Sequence, residues 1–183
     1  MSKIIFLDRD GVINEFPGEG RYVTNLREFR LFTGSVEGIR KFNDKNFKVF
    51  IISNQAGVSK DLYTAKDLKL MDKSFMNSLN NHGASIEGIF YCTHNSQDNC
   101  ECRKPKIGLL KQAVSLLGSK PEMSFFIGDS FIDMQTARNF GAKSVLVLSG
   151  REKISNRDNW EFKPDYIFDN LLLAANYICF HYG

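Results

Sequence analysis

Apolar residues in this chain come in two rhythms. Short unbroken runs, rich in β-branched and aromatic residues, occur at Ile4–Leu7 and near 48–52, 86–91, 124–127, 144–148 and 166–168. Runs of four or five such residues bounded by turn signals read as strands buried on both faces. Between them the spacing lengthens to three and four. Val36, Ile39 and Phe42 predict a helix over 35–46, and Leu68, Met71, Phe75 and Leu79 predict another that starts after a capping-box pattern, Thr64-Ala-Lys-Asp67, and ends at His82-Gly83. Leu109, Leu110, Ala113, Leu116 and Leu117 predict a helix over 107–117 closed by Gly118. A further helix runs to Phe140 before Gly141, and a last one spans 171–180. Strands alternating with helices of this length predict βαβ units: an α/β fold in three layers, with a mostly parallel sheet covered on both faces. Two segments fall outside both rhythms. Residues 15–32, broken by Pro17, Gly18 and Gly20, predict an irregular flap, where Arg21, Tyr22 and Arg27 could touch an anionic substrate or simply be solvated. Residues 149–163 form a polar stretch with no assigned element.

Length and charge narrow the setting. A chain of 183 residues suits one domain over 1–183, able to bury roughly 70% of its unfolded surface. A net charge of +3 with interspersed signs gives no footing for nucleic acid or membrane binding, and no apolar run approaches the roughly 20 residues of a membrane span. With no signal peptide before the first strand, a cytoplasmic monomer is expected. In such a reducing compartment four cysteines are not expected to pair as disulfides.

The chemistry gathers at strand exits. Ile4–Leu7 stops at Asp8-Arg9-Asp10-Gly11, and in open α/β sheets ligands sit beyond the carboxyl ends of strands. A carboxylate there can attack phosphorus, but beside a phosphate dianion it needs a divalent cation. Taken alone, the same four residues also read as an Asx-type turn or as the Asp-x-Asp of a sugar-nucleotide enzyme. A calcium loop fits less well, because its glycine belongs at the sixth position and Gly11 is the fourth. Ser53-Asn54-Gln55 follows the second strand and could bind phosphate oxygens or cap a helix. Asp129 and Asp133 follow the fourth, and with Asp8 and Asp10 would make the oxygen-rich set that Mg²⁺ prefers; Asp129 could equally cap the next helix.

Cys92, His94, Cys100 and Cys102 lie within eleven residues. Three thiolates and an imidazole form a closed tetrahedral set for Zn²⁺, and four protein ligands mark a structural ion. This loop, 92–102, has little apolar content, so metal binding would supply its folding energy. Arg103 and Lys104 come directly after it, where a pinned guanidinium and ammonium suit phosphate recognition. Cys179 stands apart and reads as a small core residue.

Taken in order, Asp8-Arg-Asp10-Gly-Val, Ser53-Asn54-Gln55, Lys104-Pro105 and Gly128-Asp129-Ser-Phe-Ile-Asp133 resemble the four motifs of the haloacid dehalogenase superfamily of phosphatases. The cysteine and histidine set followed by Arg103-Lys104-Pro105 is similar to a narrower subgroup acting on heptose bisphosphate or histidinol phosphate. The resemblance implies a Rossmann-like fold and a small phosphorylated substrate. It makes Asp8 the nucleophile and Asp10 the acid and base, and it gives Ser53, Asn54, Gln55, Arg103 and Lys104 to the substrate and its phosphate. It further implies Mg²⁺ held by Asp8, Asp10 through its carbonyl, and Asp129, with Asp133 behind them, and structural Zn²⁺ on the four-residue set. No large cap domain fits between Asn14 and Lys48 or between Gly57 and Ile86, so loops would select the substrate. The five residues between His94 and Cys100 resemble the histidinol phosphatases. Tyr22-Val23 and Asn54-Gln55-Ala56-Gly57-Val58 resemble the heptose enzymes and favour a sugar bisphosphate, although Ser130 stands where those enzymes often carry Lys. Two other classes fit the same residues: a zinc-stabilised module that binds phosphate without turnover, and an interaction protein organised by zinc alone.

Overall fold

The computed structural model describes residues 2–118 and 121–183. Along the chain run β1 (Lys3–Leu7), α1 (Ser35–Asp44), β2 (Phe47–Asn54), α2 (Ala65–Asn81), β3 (Gly88–Cys92), α3 (Gly108–Ser115), β4 (Met123–Gly128), α4 (Phe131–Phe140), β5 (Lys143–Val147), β6 (Tyr166–Phe168) and α5 (Leu171–Tyr182). The six strands form one sheet in the order β3-β2-β1-β4-β5-β6, and every pairing is parallel. Parallel neighbours need crossovers, and α1 to α4 supply all but the one between β5 and β6, where the stretch after Val147 serves.

Alternation along each strand sorts the core into two layers. Ile5 and Leu7 of β1 point to one face, where they meet Ile39 and Phe42 of α1, Phe75 and Leu79 of α2, and Leu171, Ala174, Ala175 and Ile178 of α5. Ile4 and Phe6 point to the other, beneath Leu109, Leu110 and Ala113 of α3 and Ala137 of α4. The predicted three-layer α/β architecture is what the chain forms, with no large cap domain among the described residues. Phe6 lies at the centre of the second layer, its ring 6.1 Å from that of Phe50, 6.2 Å from Phe126 and 5.4 Å from Phe140.

Differences from the sequence expectation lie at the ends of elements. The helix expected over 107–117 closes at Ser115, because Leu116 is 64% exposed and its apolar side chain has no core to hold another turn. The strand expected over 86–91 runs from Gly88 to Cys92, on an edge where most residues are only half buried. The capping box at Thr64 forms as expected, with the Asp67 amide donating to Thr64 Oγ1 and the Thr64 amide to the Asp67 carboxylate. No helix among the described residues is long and apolar enough to cross a membrane.

The chain builds outward from β1, first to β2 and β3 on one side, then to β4, β5 and β6 on the other. The order therefore reverses between β1 and β4, and in such sheets the ligand crevice opens at that point, past the carboxyl ends of the strands. Leu7 pairs in register with both Ile51 and Ile127, so Asp8, Ser53 and Asp129 emerge close together. Removing the ring at the middle of this arrangement, in Phe6→Ala, should cost about 3–5 kcal/mol of stability. Equilibrium urea unfolding will measure it, and a loss below about 1 kcal/mol would contradict the packing described.

Candidate active site

The β1 ladder persists one residue past the strand, since the Asp8 amide donates to Ile127 O at 3.0 Å. The chain then turns sharply: Arg9 O accepts from the amides of Val12, Ile13 and Asn14, and Gly11 takes φ +85°. A β-carbon at Gly11 would lie 2.2 Å from Asp129 Oδ2, so both conformation and space require glycine there.

Lys104 reaches into this crevice from the segment after the cysteine loop. Its ammonium sits 3.0 Å from Asp8 Oδ1 and 2.5 Å from Asp133 Oδ1, with its side chain 2% exposed. Its backbone is fixed by Asn54, whose Oδ1 accepts from the Lys104 amide and whose Nδ2 donates to the Lys104 carbonyl. Burial works against the charge on Lys104, but Asp133 and Asp8 outweigh it and raise its pKa.

Asp133 Oδ2 accepts from the Ser130 hydroxyl at 2.6 Å and the Ser130 amide at 3.2 Å, which starts α4. Helix capping thus falls to Ser130 and Asp133, leaving Asp129 free for other work. Asp129 Oδ2 accepts the Arg151 amide at 2.7 Å and has no cation against it among the described residues. Burial, then the fields of Asp133 and Asp8, push its carboxyl up to about 8. Asp8 moves up to about 6, chiefly through burial, with Lys104 opposing.

Carboxylate oxygens of Asp8, Asp129 and Asp133 all lie within 4.8 Å of one another. Three carboxylates against one ammonium leave a surplus of negative charge in a buried pocket, and the donors are all oxygen. That is the chemistry a hard divalent cation such as Mg²⁺ answers. Since Asp133 is occupied by Lys104 and Ser130, Asp8 and Asp129 are the ones with capacity to spare.

These groups line a cavity of about 180 Å³ together with Asp10, Ser53, Asn54, Arg103, Arg21, Tyr22 and Arg151. Arg27 lies outside it, in a neighbouring hollow of the flap. Asp10 is held by Arg9, Asn14 and Gln55. Gln55, grouped by sequence with Ser53 and Asn54 as a phosphate contact, is 1% exposed and does not reach the cavity wall; its amide turns to Asp10 and Ser53 instead. Sequence reasoning passed over Arg9, Asn14, Tyr63 and Arg151. Arg9 carried a signal, a cation inside a buried acidic motif, whereas Arg151 lay in a stretch with no periodicity to place it.

The second cluster lies beside the first. Sγ atoms of Cys92, Cys100 and Cys102 stand 3.2–3.6 Å apart, with His94 Nδ1 3.2 Å from Cys102 and 3.7 Å from Cys92. A tetrahedral zinc with bonds of about 2.3 Å to sulfur needs ligands roughly 3.8 Å apart, so the set is close to ready-made. Cys92, the last residue of β3, anchors the loop to the sheet. Arg103 Nη1 donates to His94 O at 3.3 Å, which ties this loop to the cavity wall.

Residues 101–174 match the model of the HAD-hydrolase-like family. The D-glycero-beta-D-manno-heptose-1,7-bisphosphate 7-phosphatase of Neisseria meningitidis is 31% identical over 96% of this chain and 94% of its own length. The chain belongs to the HAD-like phosphatases. The Helicobacter pylori enzyme of the same name is 36% identical over 80% of this chain and 84% of its own. Among solved structures, D,D-heptose 1,7-bisphosphate phosphatase from B. bronchiseptica, complexed with magnesium and phosphate, superposes with a TM-score of 0.88 at 25% identity, covering 96% of this chain and 97% of that one. The membership and the parallel α/β fold agree with the resemblance read from the motifs.

The fit of glycine against Asp129 is testable in this HAD-like phosphatase. A β-carbon at Gly150 would fall 2.0 Å from Asp129 Oδ2, so Gly150→Ala must displace that carboxylate. The Mg²⁺ concentration for half-maximal activity should rise by about 10- to 100-fold, as for other changes just outside a metal's ligands. An unchanged Mg²⁺ titration would show that Asp129 has no part in holding the cation.

Proposed function

We propose that this chain is a Mg²⁺-dependent phosphomonoesterase that removes the 7-phosphate of D-glycero-D-manno-heptose 1,7-bisphosphate through an aspartyl-phosphate on Asp8. The observation that carries it is the Asp8 carboxylate on the cavity wall, 3.0 Å from a buried ammonium and close to the Asp129 carboxylate, which has no counter-ion among the described residues. The names of the relatives in Neisseria meningitidis and Helicobacter pylori support the substrate.

In the first step an Asp8 oxygen bonds to phosphorus as the bond to the sugar oxygen breaks. Asp10, as the carboxylic acid, gives its proton to that oxygen, and the sugar leaves as an alcohol. In the second, Asp10 as carboxylate takes a proton from water. The water oxygen bonds to phosphorus, the Asp8–phosphorus bond breaks, and inorganic phosphate leaves with Asp8 and Asp10 ready for another turn. Ser53, Lys104 and loop amides hold the phosphoryl oxygens, and Arg103 meets the rest of the substrate. Mg²⁺, when bound by Asp8, Asp129 and the Asp10 carbonyl with Asp133 behind them, neutralises the charge between nucleophile and phosphate. Cys92, His94, Cys100 and Cys102 would hold Zn²⁺ as a structural ion, which would set where Arg103 and Lys104 project.

Asp8→Asn should bring phosphate release to background while the circular dichroism and melting profile stay those of the folded protein. An Asp8→Asn enzyme that still turns over would refute the mechanism. A panel of heptose bisphosphate against histidinol phosphate should show kcat/KM at least about tenfold higher for the former, and the reverse order would reassign the substrate. Elemental analysis should find about one zinc per chain. Cys100→Ser should lose the metal, lower the melting temperature and reduce activity indirectly; a metal-free preparation with full stability would rule the ion out.

A further inference from the structure

A buried arginine is costly unless its charge has a purpose, and Arg9 is 2% exposed in the middle of the site. Its guanidinium lies between two aromatic rings, 5.7 Å from the centroid of Phe29 and 5.8 Å from that of Tyr91, and Tyr91 is itself tied to α2 by a hydroxyl that donates to Asp72 at 2.6 Å. So confined, Arg9 makes its ion pair, among the described residues, with Asp10. Nε donates to Asp10 Oδ1 at 3.2 Å, and Nη2 donates to Oδ1 at 3.0 Å and to Oδ2 at 3.1 Å.

A second arm reaches Asp10 from the residue that follows β2. Gln55 Nε2 donates to Asp10 Oδ2 at 2.9 Å and to Ser53 Oγ at 3.2 Å. An amide can present either its oxygen or its nitrogen, and here a buried phenol decides: Tyr63 Oη donates to Gln55 Oε1 at 2.6 Å, which leaves Nε2 for the carboxylate. With Asn14 Nδ2 on Oδ1 at 2.8 Å, both oxygens of Asp10 are gripped, and the side chain cannot turn without breaking bonds on two elements.

We infer that Arg9 and the Tyr63–Gln55 pair are positioning residues that fix the Asp10 carboxylate toward the leaving-group oxygen, so that Gln55 serves the acid rather than the phosphate. Arg9, Gln55 and Tyr63 are not among the residues that line the cavity. Their effect is on the aim of a proton, and a displaced carboxyl loses much of the gain that general acid catalysis gives. This inference rests on the proposed role of Asp10, and its test separates the two.

The discriminating readout is the leaving group. A sugar alkoxide needs protonation as it departs, whereas p-nitrophenolate scarcely does, so a misaimed acid hurts the first and spares the second. A general loss of structure lowers both alike. The measurement is kcat/KM of the metal-loaded enzyme on heptose bisphosphate and on p-nitrophenyl phosphate, for wild type, Asp10→Asn, Arg9→Lys and Tyr63→Phe. Lysine keeps the charge of Arg9 but not its fork. Tyr63→Phe removes one hydroxyl and keeps the ring packed on Gly57, so it serves if Arg9→Lys does not fold. With general acid catalysis worth about 10²–10⁴-fold, Tyr63→Phe should lose about tenfold and Arg9→Lys about 100-fold on the sugar phosphate, each losing several times less on the aryl ester. Equal losses on the two substrates, or none, in Tyr63→Phe and in any folded Arg9→Lys overturn the inference; the proposed function stands if Asp10→Asn still shows the split. If Asp10→Asn shows no split, the acid role falls and the inference with it.

Discussion

The ammonium of Lys104, buried between Asp8 and Asp133, is the contact around which the site is assembled. Three charges taken out of water are stable only if each finds its partner with good geometry, and their positions come from three different parts of the chain. Asp8 is delivered by the end of β1, Asp133 by the first turn of α4, and Lys104 by the segment after the cysteine loop. Each carrier is fixed in its own way. The sheet register fixes Asp8, a capping box with Ser130 fixes Asp133, and the paired hydrogen bonds of Asn54 fix the Lys104 backbone.

That contact does not balance the site, and the imbalance has a use. Asp129 stands against Gly11 and Gly150 and accepts the Arg151 backbone amide, its carboxyl pushed up to about 8 by burial and by its acidic neighbours. Burial and like charge disfavour this carboxylate, and a divalent cation beside it would relieve both. The missing side chains at the two glycines let the loop after β5 close over Asp129. In this way the polar stretch 149–163, unassigned by any pattern, brings Arg151 and its amide to the cavity.

The two halves of Asp8-Arg9-Asp10 face different surroundings. Asp8 meets a cation that is shared with Asp133, whereas Asp10 meets one of its own, Arg9, along with amides from Asn14 and Gln55. Two carboxylates two residues apart are thereby given separate environments.

Much of this could be read from the sequence. Runs of β-branched and aromatic residues gave the strands, three-and-four spacing gave the helices, and the order of short polar motifs at strand exits gave the location of the site, because those signals are local and depend only on neighbours in the chain. Element ends at Ser115 and Gly88 were less legible, since a helix or strand stops where burial stops and burial is not a local property. The same reason separates the site residues. Asp8, Asp10, Asp129 and the cysteines announce themselves by type and spacing. That Gln55 turns inward to Asp10, that Tyr63 sets its amide, and that Arg151 arrives from a loop more than twenty residues past Asp129 were decided only by tertiary packing, because each depends on a partner distant in sequence or on a side-chain direction that spacing does not encode.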